Sequence, residues 1–382
     1  MTKKILLIND DESIRDILQM YLEMKNYDVY QAWNGMQGLE TAHRVLPDLI
    51  LLDVMMPGMN GYEVCKALKG DAKTKDIPVL FLSSLLQTSE KIKGLESGAV
   101  DFINDAADYA EILARIETHL KIKELTQQLQ ASNQELMLKQ KILNEDLRAA
   151  AMIQQNLLPN PHTRIPHVDT SWSCVPCEFV GGDICSIHRL SETSTVFYIL
   201  DVSGHGVSSA MVAVSITQYI QQLLHPNLSP SDILMALNRD YPYDKFNIFS
   251  TLFCMVFNHQ TGKLTYSSAG HPPAVYLSLR SSFRLLSSQG ALVGIDSRFY
   301  YENKEIALEE GDKIILYTDG VTESVNSKGK LYGEERFYHL LEKIKRESIK
   351  NIVQLVNQSV KEFSNWNAPR DDVSILGIEF RK

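Results

Sequence analysis

Residues 48–61 read DLILLDVMMPGMNG, and this stretch decides the fold of the first third of the chain. The apolar run Leu49 to Leu52 meets a carboxylate, Asp53, and then two turn signals, Pro57-Gly58 and Asn60-Gly61. A short continuous apolar run bounded by turn residues marks a strand buried on both faces. The same texture recurs at Ile5–Ile8, Val29–Ala32, Val79–Leu82 and Val100–Ile103, with amphipathic helical stretches between. Five repeats of strand then helix predict an α/β doubly wound domain with five parallel strands, its active groups at the strands' carboxyl ends.

Three of those ends carry suitable chemistry: Asp53, Asp10 in ILLINDDES and Ser83 in PVLFLSS. A phosphoryl-accepting aspartate needs a Mg²⁺ held by nearby carboxylates, a hydroxyl that senses the phosphoryl group and a cation that offsets its charge. On these motifs, residues 3–118 resemble a response-regulator receiver. The resemblance implies Asp53 as phosphoacceptor, Asp10 and the carbonyl of Met55 as Mg²⁺ ligands, Ser83 as switch hydroxyl and a sensor histidine kinase upstream. Two positions depart from the family. Aligning Arg15 with the family arginine puts Asn9 where the first aspartate belongs, which lowers metal affinity. In DFINDAAD, Asp105 and Ala106 replace the usual lysine and proline. A carboxylate there repels the phosphoryl dianion. Two readings stand open: a receiver with impaired or absent phosphorylation that still docks a partner or transmits a state, or an Asp105 that compensates Asn9 by approaching the metal.

From Tyr109 to Leu158 the chain has no glycine or proline and is rich in glutamine, glutamate, lysine and leucine, stopping at Pro159 and Pro161. This predicts one long helix. Ile122, Leu129, Leu136, Leu143, Ala150 and Leu157 recur every seven residues, an apolar column with the polar Asn133 and Gln140 in the adjoining seam. A parallel coiled-coil homodimer fits this pattern; a lone helix laid on one domain is the alternative. The expected domains are therefore 1–118, a helical linker 119–158 and a second domain 159–382.

The 382 residues suit two hydrophobic cores. A net charge of −9 with no basic stripe argues against nucleic-acid binding. The four-residue apolar run Ile5–Ile8 near the start is too short for a signal peptide, and no eighteen apolar residues run together, which points to a cytoplasmic protein without membrane insertion. Five cysteines, an odd number, argue for reduced thiols, and the CVPC pair lacks the partners that a zinc site needs.

Beyond Pro161 the texture turns to β-branched and aromatic strands, including Thr195–Val202, Phe249–Phe257, Ala274–Leu279 and Ile314–Tyr317. Helical patterns near Ser208–Leu224, Ser231–Asn238, Glu334–Lys345 and Ile352–Phe363 interrupt them, predicting a layered α+β domain. Its aspartates sit beside apolar strands and glycines: Asp183 in FVGGDICS, Asp201 in ILDVSGHG, Asp319 in LYTDGVTE, and Asp371 with Asp372 in PRDDVSIL. Carboxylates brought from several strand ends suit two divalent metals that clamp a phosphoryl group and activate water.

Together with SAGHPPAVY, ALVGID and YGEERF, these motifs resemble the PPM-type metal-dependent serine/threonine protein phosphatases of the SpoIIE-like branch. The resemblance implies two Mn²⁺ or Mg²⁺. It makes Asp201 the bridging ligand, gives the Val202 carbonyl a further bond, and puts Asp319 and Asp371 on the second metal. Asp183 would be another ligand or a group that orients the ligands. Asp372 is either a ligand or a brace for the loop. Ser186 replaces a second aspartate often found after the GGD motif. His205 and His271 are as well explained by structural hydrogen bonds as by contact with the site. The implied substrate is a phosphorylated STAS-domain anti-sigma-factor antagonist in a partner-switching pathway. The rival is a non-catalytic module that sequesters a phosphoprotein, which the survival of Asp201, Asp319 and Asp371 disfavours.

Overall fold

The computed structural model describes residues 2–83, 88–104, 107–160, 164–365 and 369–381. They form two compact units, Met1–Gln140 and Lys141–Lys382.

The first unit has strands β1 (Lys4–Ile8), β2 (Asp28–Ala32), β3 (Leu49–Asp53), β4 (Val79–Leu82) and β5 (Asp101–Ile103), all parallel in the order β2-β1-β3-β4-β5. Helices α1 (Glu12–Met24), α2 (Gly35–Val45), α3 (Gly61–Gly70) and α4 (Thr88–Glu96) connect them. Leu6, Ile8, Ile50, Leu52 and Phe81 join one core, while Ile5, Leu7, Leu49, Leu51 and Leu80 join another. Successive residues face opposite sides of a sheet covered on both, so its strands are apolar throughout. Asn60, read as part of a turn, forms a capping box with Glu63 that starts α3. The strand order reverses between β1 and β3, and a crevice at such a switch point is where this architecture places its ligands.

Helix α5 (Tyr109–Gln155) is 47 residues long and joins the two units. It stops at Gln155 rather than Leu158, and Leu157 and Leu158 turn in against the core of the second unit. The seven-residue column therefore ends at Ala150. Within the chain, Leu129, Leu136 and Leu143 of that column remain exposed.

The second unit comprises strands β6 (Val168–Val175), β7 (Ile184–Arg189), β8 (Ser194–Val202), β9 (Ser250–Asn258), β10 (Lys263–Ala269), β11 (Ala274–Leu277), β12 (Arg284–Leu286), β13 (Lys304–Ala307), β14 (Lys313–Tyr317) and β15 (Val373–Phe380). Its helices are α6 (Val207–Leu223), α7 (Pro230–Asp240), α8 (Tyr243–Phe246), α9 (Asp319–Glu323), α10 (Glu334–Ile344) and α11 (Ile349–Ser364). The strands form two antiparallel sheets, β13-β10-β9-β8-β7 and β12-β11-β14-β15-β6.

The inner faces of these sheets share one core, with Phe197 and Phe253 from the first packed among Ile314, Leu376 and Phe380 from the second. Helices α6 and α7 cover the outer face of the first sheet, and α10 and α11 that of the second. The result is the layered α+β domain that the alternating texture predicts.

One cysteine expectation needs correcting: Cys174 of β6 is paired with Cys185 of β7, so the thiols are not all free, and its neighbour Cys177 is not its partner. The two residues face each other between the sheets, a proximity that spacing along the chain does not reveal. No helix among the described residues is long and apolar enough to cross a membrane.

Candidate active site

Antiparallel pairing brings the phosphatase-like aspartates to one end of the sandwich. Asp201 sits one residue before the end of β8; Asp183 immediately precedes β7, which runs back along β8. Asp319 opens α9 just beyond β14, and Asp371 and Asp372 immediately precede β15, its antiparallel neighbour. Each sheet thus contributes two strand ends.

The two adjacent aspartates do different things. Asp372 is buried, and its carboxylate accepts hydrogen bonds from the backbone N–H groups of Cys177 (2.8 Å), Gly182 (2.6 Å) and Asp183 (3.3 Å). It braces the loop that carries Asp183. Asp371 is exposed toward solvent and takes no part in that brace. A Cβ on Gly181 would collide with the Asp372 carboxylate, and one on Gly320 with the Asp372 carbonyl, so both approaches need glycine.

Asp183 is buried, and one of its oxygens accepts from the Thr318 hydroxyl at 2.7 Å. Burial, with the charges of Asp201 and Asp372, holds its pKa well above the usual carboxylate range. Asp201 is pushed up to about 7 by burial and by Asp319 and Asp371. Burial and neighbouring carboxylates raise Asp319 as well; for Asp371, partial burial is the largest cause of a rise. The charged groups that most perturb Asp201 are all carboxylates, so this end of the sandwich concentrates negative charge. An all-oxygen donor set of this kind suits hard divalent cations. Among the described residues, no three His, Cys, Asp or Glu side chains are gathered tightly enough to grip an ion as they stand; the set is open.

His271 is structural rather than catalytic in its contacts. Its Nε2 donates to the Tyr317 carbonyl at 3.1 Å, and its Nδ1 lies 2.7 Å from Thr251 Oγ1. Burial lowers its pKa to about 3, so the ring is neutral and Nδ1 accepts from the threonine. Thr251 pairs with Asp201 across β8 and β9, and its hydroxyl stands 3.4 Å from Asp201 Oδ2. One hydrogen faces two acceptors, and the shorter contact takes it. His205 is exposed, and its Nδ1 lies 3.0 Å from a carboxylate oxygen of Glu178.

In the first unit, Asp53 ends β3 and accepts the Met55 N–H at 3.1 Å, while the Met55 side chain is exposed. A Cβ on Gly61 would strike the Asp53 carbonyl. Asn9 is buried beside it: its side-chain oxygen accepts the Asp11 N–H at 2.7 Å, and its carbonyl accepts from Arg15 at 2.8 Å. Asp10 is exposed at the same edge, and Ser83 is buried beyond β4. Asn9 thus brings a neutral amide to this edge. Asp105 lies outside the described residues.

Residues 191–381, half of the chain, match the family model described as Stage II sporulation protein E (SpoIIE). The chain belongs to the SpoIIE family. Residues 5–117 of this SpoIIE-family chain match the response regulator receiver domain. In fold, the second unit is similar to the SiaA-PP2C domain of Pseudomonas aeruginosa, with a TM-score of 0.56 and 22% identity over 63% of this chain and 98% of that one. The PP2C phosphatase domain and regulatory fragment of SpoIIE from Bacillus subtilis gives a TM-score of 0.51 at 18% identity, over 57% of this chain and 64% of that one. The first unit is 45% identical over 118 residues to the DNA-binding dual master transcriptional regulator RpaA of Synechocystis sp., a match covering 31% of this chain. The chain spans about half the length of that relative, 49%. Asp201, Asp319, Asp371 and Asp372 fall within the SpoIIE match, and Asp183 lies upstream of it.

Proposed function

We propose that the second unit is a metal-dependent phosphatase acting on a phosphoseryl or phosphothreonyl residue of a protein, and that the receiver unit regulates it. The observation that carries this reading is the convergence of Asp183, Asp201, Asp319 and Asp371 from both sheets, where burial and mutual repulsion raise their pKa values. Two divalent cations, Mn²⁺ or Mg²⁺, would supply the missing positive charge, polarise a phosphoryl group and lower the pKa of water to about 7.

Asp201 and the Val202 carbonyl would hold the first cation, with Asp201 shared by the second. Asp319 and Asp371 would complete the second site. Asp372 is committed to three backbone N–H groups, which favours Asp371 as the ligand and Asp372 as the brace. Thr318 fixes one oxygen of Asp183 and leaves the other to bind or to orient a ligand. The His271–Thr251 pair orders the β9 side of Asp201.

Membership in the SpoIIE family supports a phosphorylated STAS-domain antagonist as the substrate, in a partner-switching pathway. The receiver match supports Asp53 as phosphoacceptor for a sensor histidine kinase, with Mg²⁺ held weakly because Asn9 brings no charge.

The test is Mn²⁺-dependent hydrolysis of p-nitrophenyl phosphate by the wild type, Asp201→Asn and Asp319→Asn. Each substitution is expected to lower kcat/KM by about a hundredfold or more, since even groups behind the ligands are worth roughly 10–100-fold. Equal rates in all three would overturn the metal mechanism, and no Mn²⁺-dependent hydrolysis by the wild type would leave a phosphoprotein-binding module.

A further inference from the structure

The loop that carries Asp183 is held by two side chains. One is Asp372, just before β15. The other is Gln154, in the last turn of α5: its Nε2 donates to the Gly181 carbonyl at 2.6 Å, and its Oε1 accepts the Gly181 N–H at 3.2 Å. One planar amide thus satisfies both backbone groups of a single residue, the geometry by which a neighbouring strand would hold it. An open-sided cavity of about 600 Å³ among the described residues is lined by Gln154, Trp172, Phe179, Gly181, Asp183 and Asp372. Where Gly181 faces this cavity, the Gln154 amide supplies a constraint that close packing would otherwise provide.

Gln154 belongs to the helix that begins at Tyr109 among the elements of the receiver unit. We infer that Gln154 is the positioning residue through which α5 sets the Asp183 loop and so the affinity of the site for its divalent cation. This deepens the proposed phosphatase reading and rests on it for the identity of the site. Rotation or fraying of the last turn of α5 removes two hydrogen bonds from Gly181, two residues from Asp183, and lets the loop relax into the cavity. Asp372 still holds Gly182 and Asp183, so the outcome is a site that needs more metal, not a collapsed domain.

The experiment uses the full chain and three variants. Gln154→Ala removes both bonds, Gln154→Met removes them at similar volume, and Gln154→Glu keeps an acceptor for the Gly181 N–H but cannot donate to its carbonyl. Mn²⁺ binding is read directly from the loss of the free-Mn²⁺ electron paramagnetic resonance signal. The Mn²⁺ dependence of p-nitrophenyl phosphate hydrolysis and the Tm of the metal-free protein are measured alongside.

Gln154→Ala and Gln154→Met are expected to weaken Mn²⁺ binding by about 10–100-fold, Gln154→Glu by less, with metal-free Tm nearly unchanged and kcat recovered at saturating Mn²⁺. Wild-type Mn²⁺ affinity in Gln154→Met would overturn the inference; so would a loss of kcat that saturating Mn²⁺ does not restore. Because binding is read without turnover, a wild type that binds Mn²⁺ but hydrolyses nothing would refute the phosphatase reading and still decide the role of Gln154.

Discussion

Asp201 lies near the end of a strand whose other residues are almost all buried, and that placement governs its titration. Burial and the charges of Asp319 and Asp371 push its pKa up to about 7, against an ordinary 3.8. The folded chain keeps a proton there that the unfolded chain releases. Its stabilising contribution is therefore complete below about pH 4 and disappears as the pH rises to about 7. Above that, folding forces a charged carboxylate among others. In chelator, Asp201→Asn is expected to stabilise the protein at pH 8 by roughly 2–4 kcal/mol, several degrees in Tm, and by little at pH 4.5. Thermal melts at both pH values check this, and an equal effect at both would remove the repulsion from the account. The same residue scale shows what sequence can tell. Asp201 and Asp319 are legible because each ends an apolar strand beside glycine. Thr251 is not, because it meets Asp201 only through the register of β9 on β8. Asp371 and Asp372 carry the same letter, and the alternation of side chains along an extended backbone sends one outward and the other into the loop.

At the scale of elements, α5 is unusual in what it leaves uncovered. Ile112, Ile116 and Leu120 are buried, whereas Leu129, Leu136 and Leu143 are 57–63% exposed. Three leucines at seven-residue spacing on one helix would suit the seam of a parallel coiled coil. The proposed homodimer predicts that Leu136→Glu with Leu143→Glu weakens self-association by at least about a hundredfold, since each protomer would carry two carboxylates into the seam. Sedimentation equilibrium measures it, and an unchanged association constant would exclude this face. The column was readable from spacing alone. Its end was not: Leu157 continues the spacing, but the apolar core of the second unit takes it out of the helix, and tertiary burial outweighs periodicity at a helix terminus.

The whole chain couples a parallel sheet to an antiparallel sandwich, and the two were unequally legible. Alternation of buried strand and amphipathic helix predicts the five-stranded parallel unit, because a parallel pair needs a crossover element between its strands and the sequence shows one after each strand. The sandwich brings together strands far apart in sequence, β15 with β6 and β8 with β9, so only its motifs pointed to the common end. If α5 carries regulation, removing residues 1–118 should change p-nitrophenyl phosphate turnover by severalfold at limiting Mn²⁺. Identical turnover and oligomeric state in the truncated and full-length proteins would dismiss that coupling. An Asp53→Asn arm of the same assay separates phosphorylation from docking as the signal.

The candidate site draws Asp183 and Asp201 from one sheet and Asp319 and Asp371 from the other, at the open rim of the sandwich. An ion seated there would rivet the two layers across their shared core, much as a crosslink would. Metal loading would then govern more than turnover. It would set how readily the rim gapes to a protease, making the lifetime of the protein a gauge of the divalent ion around it.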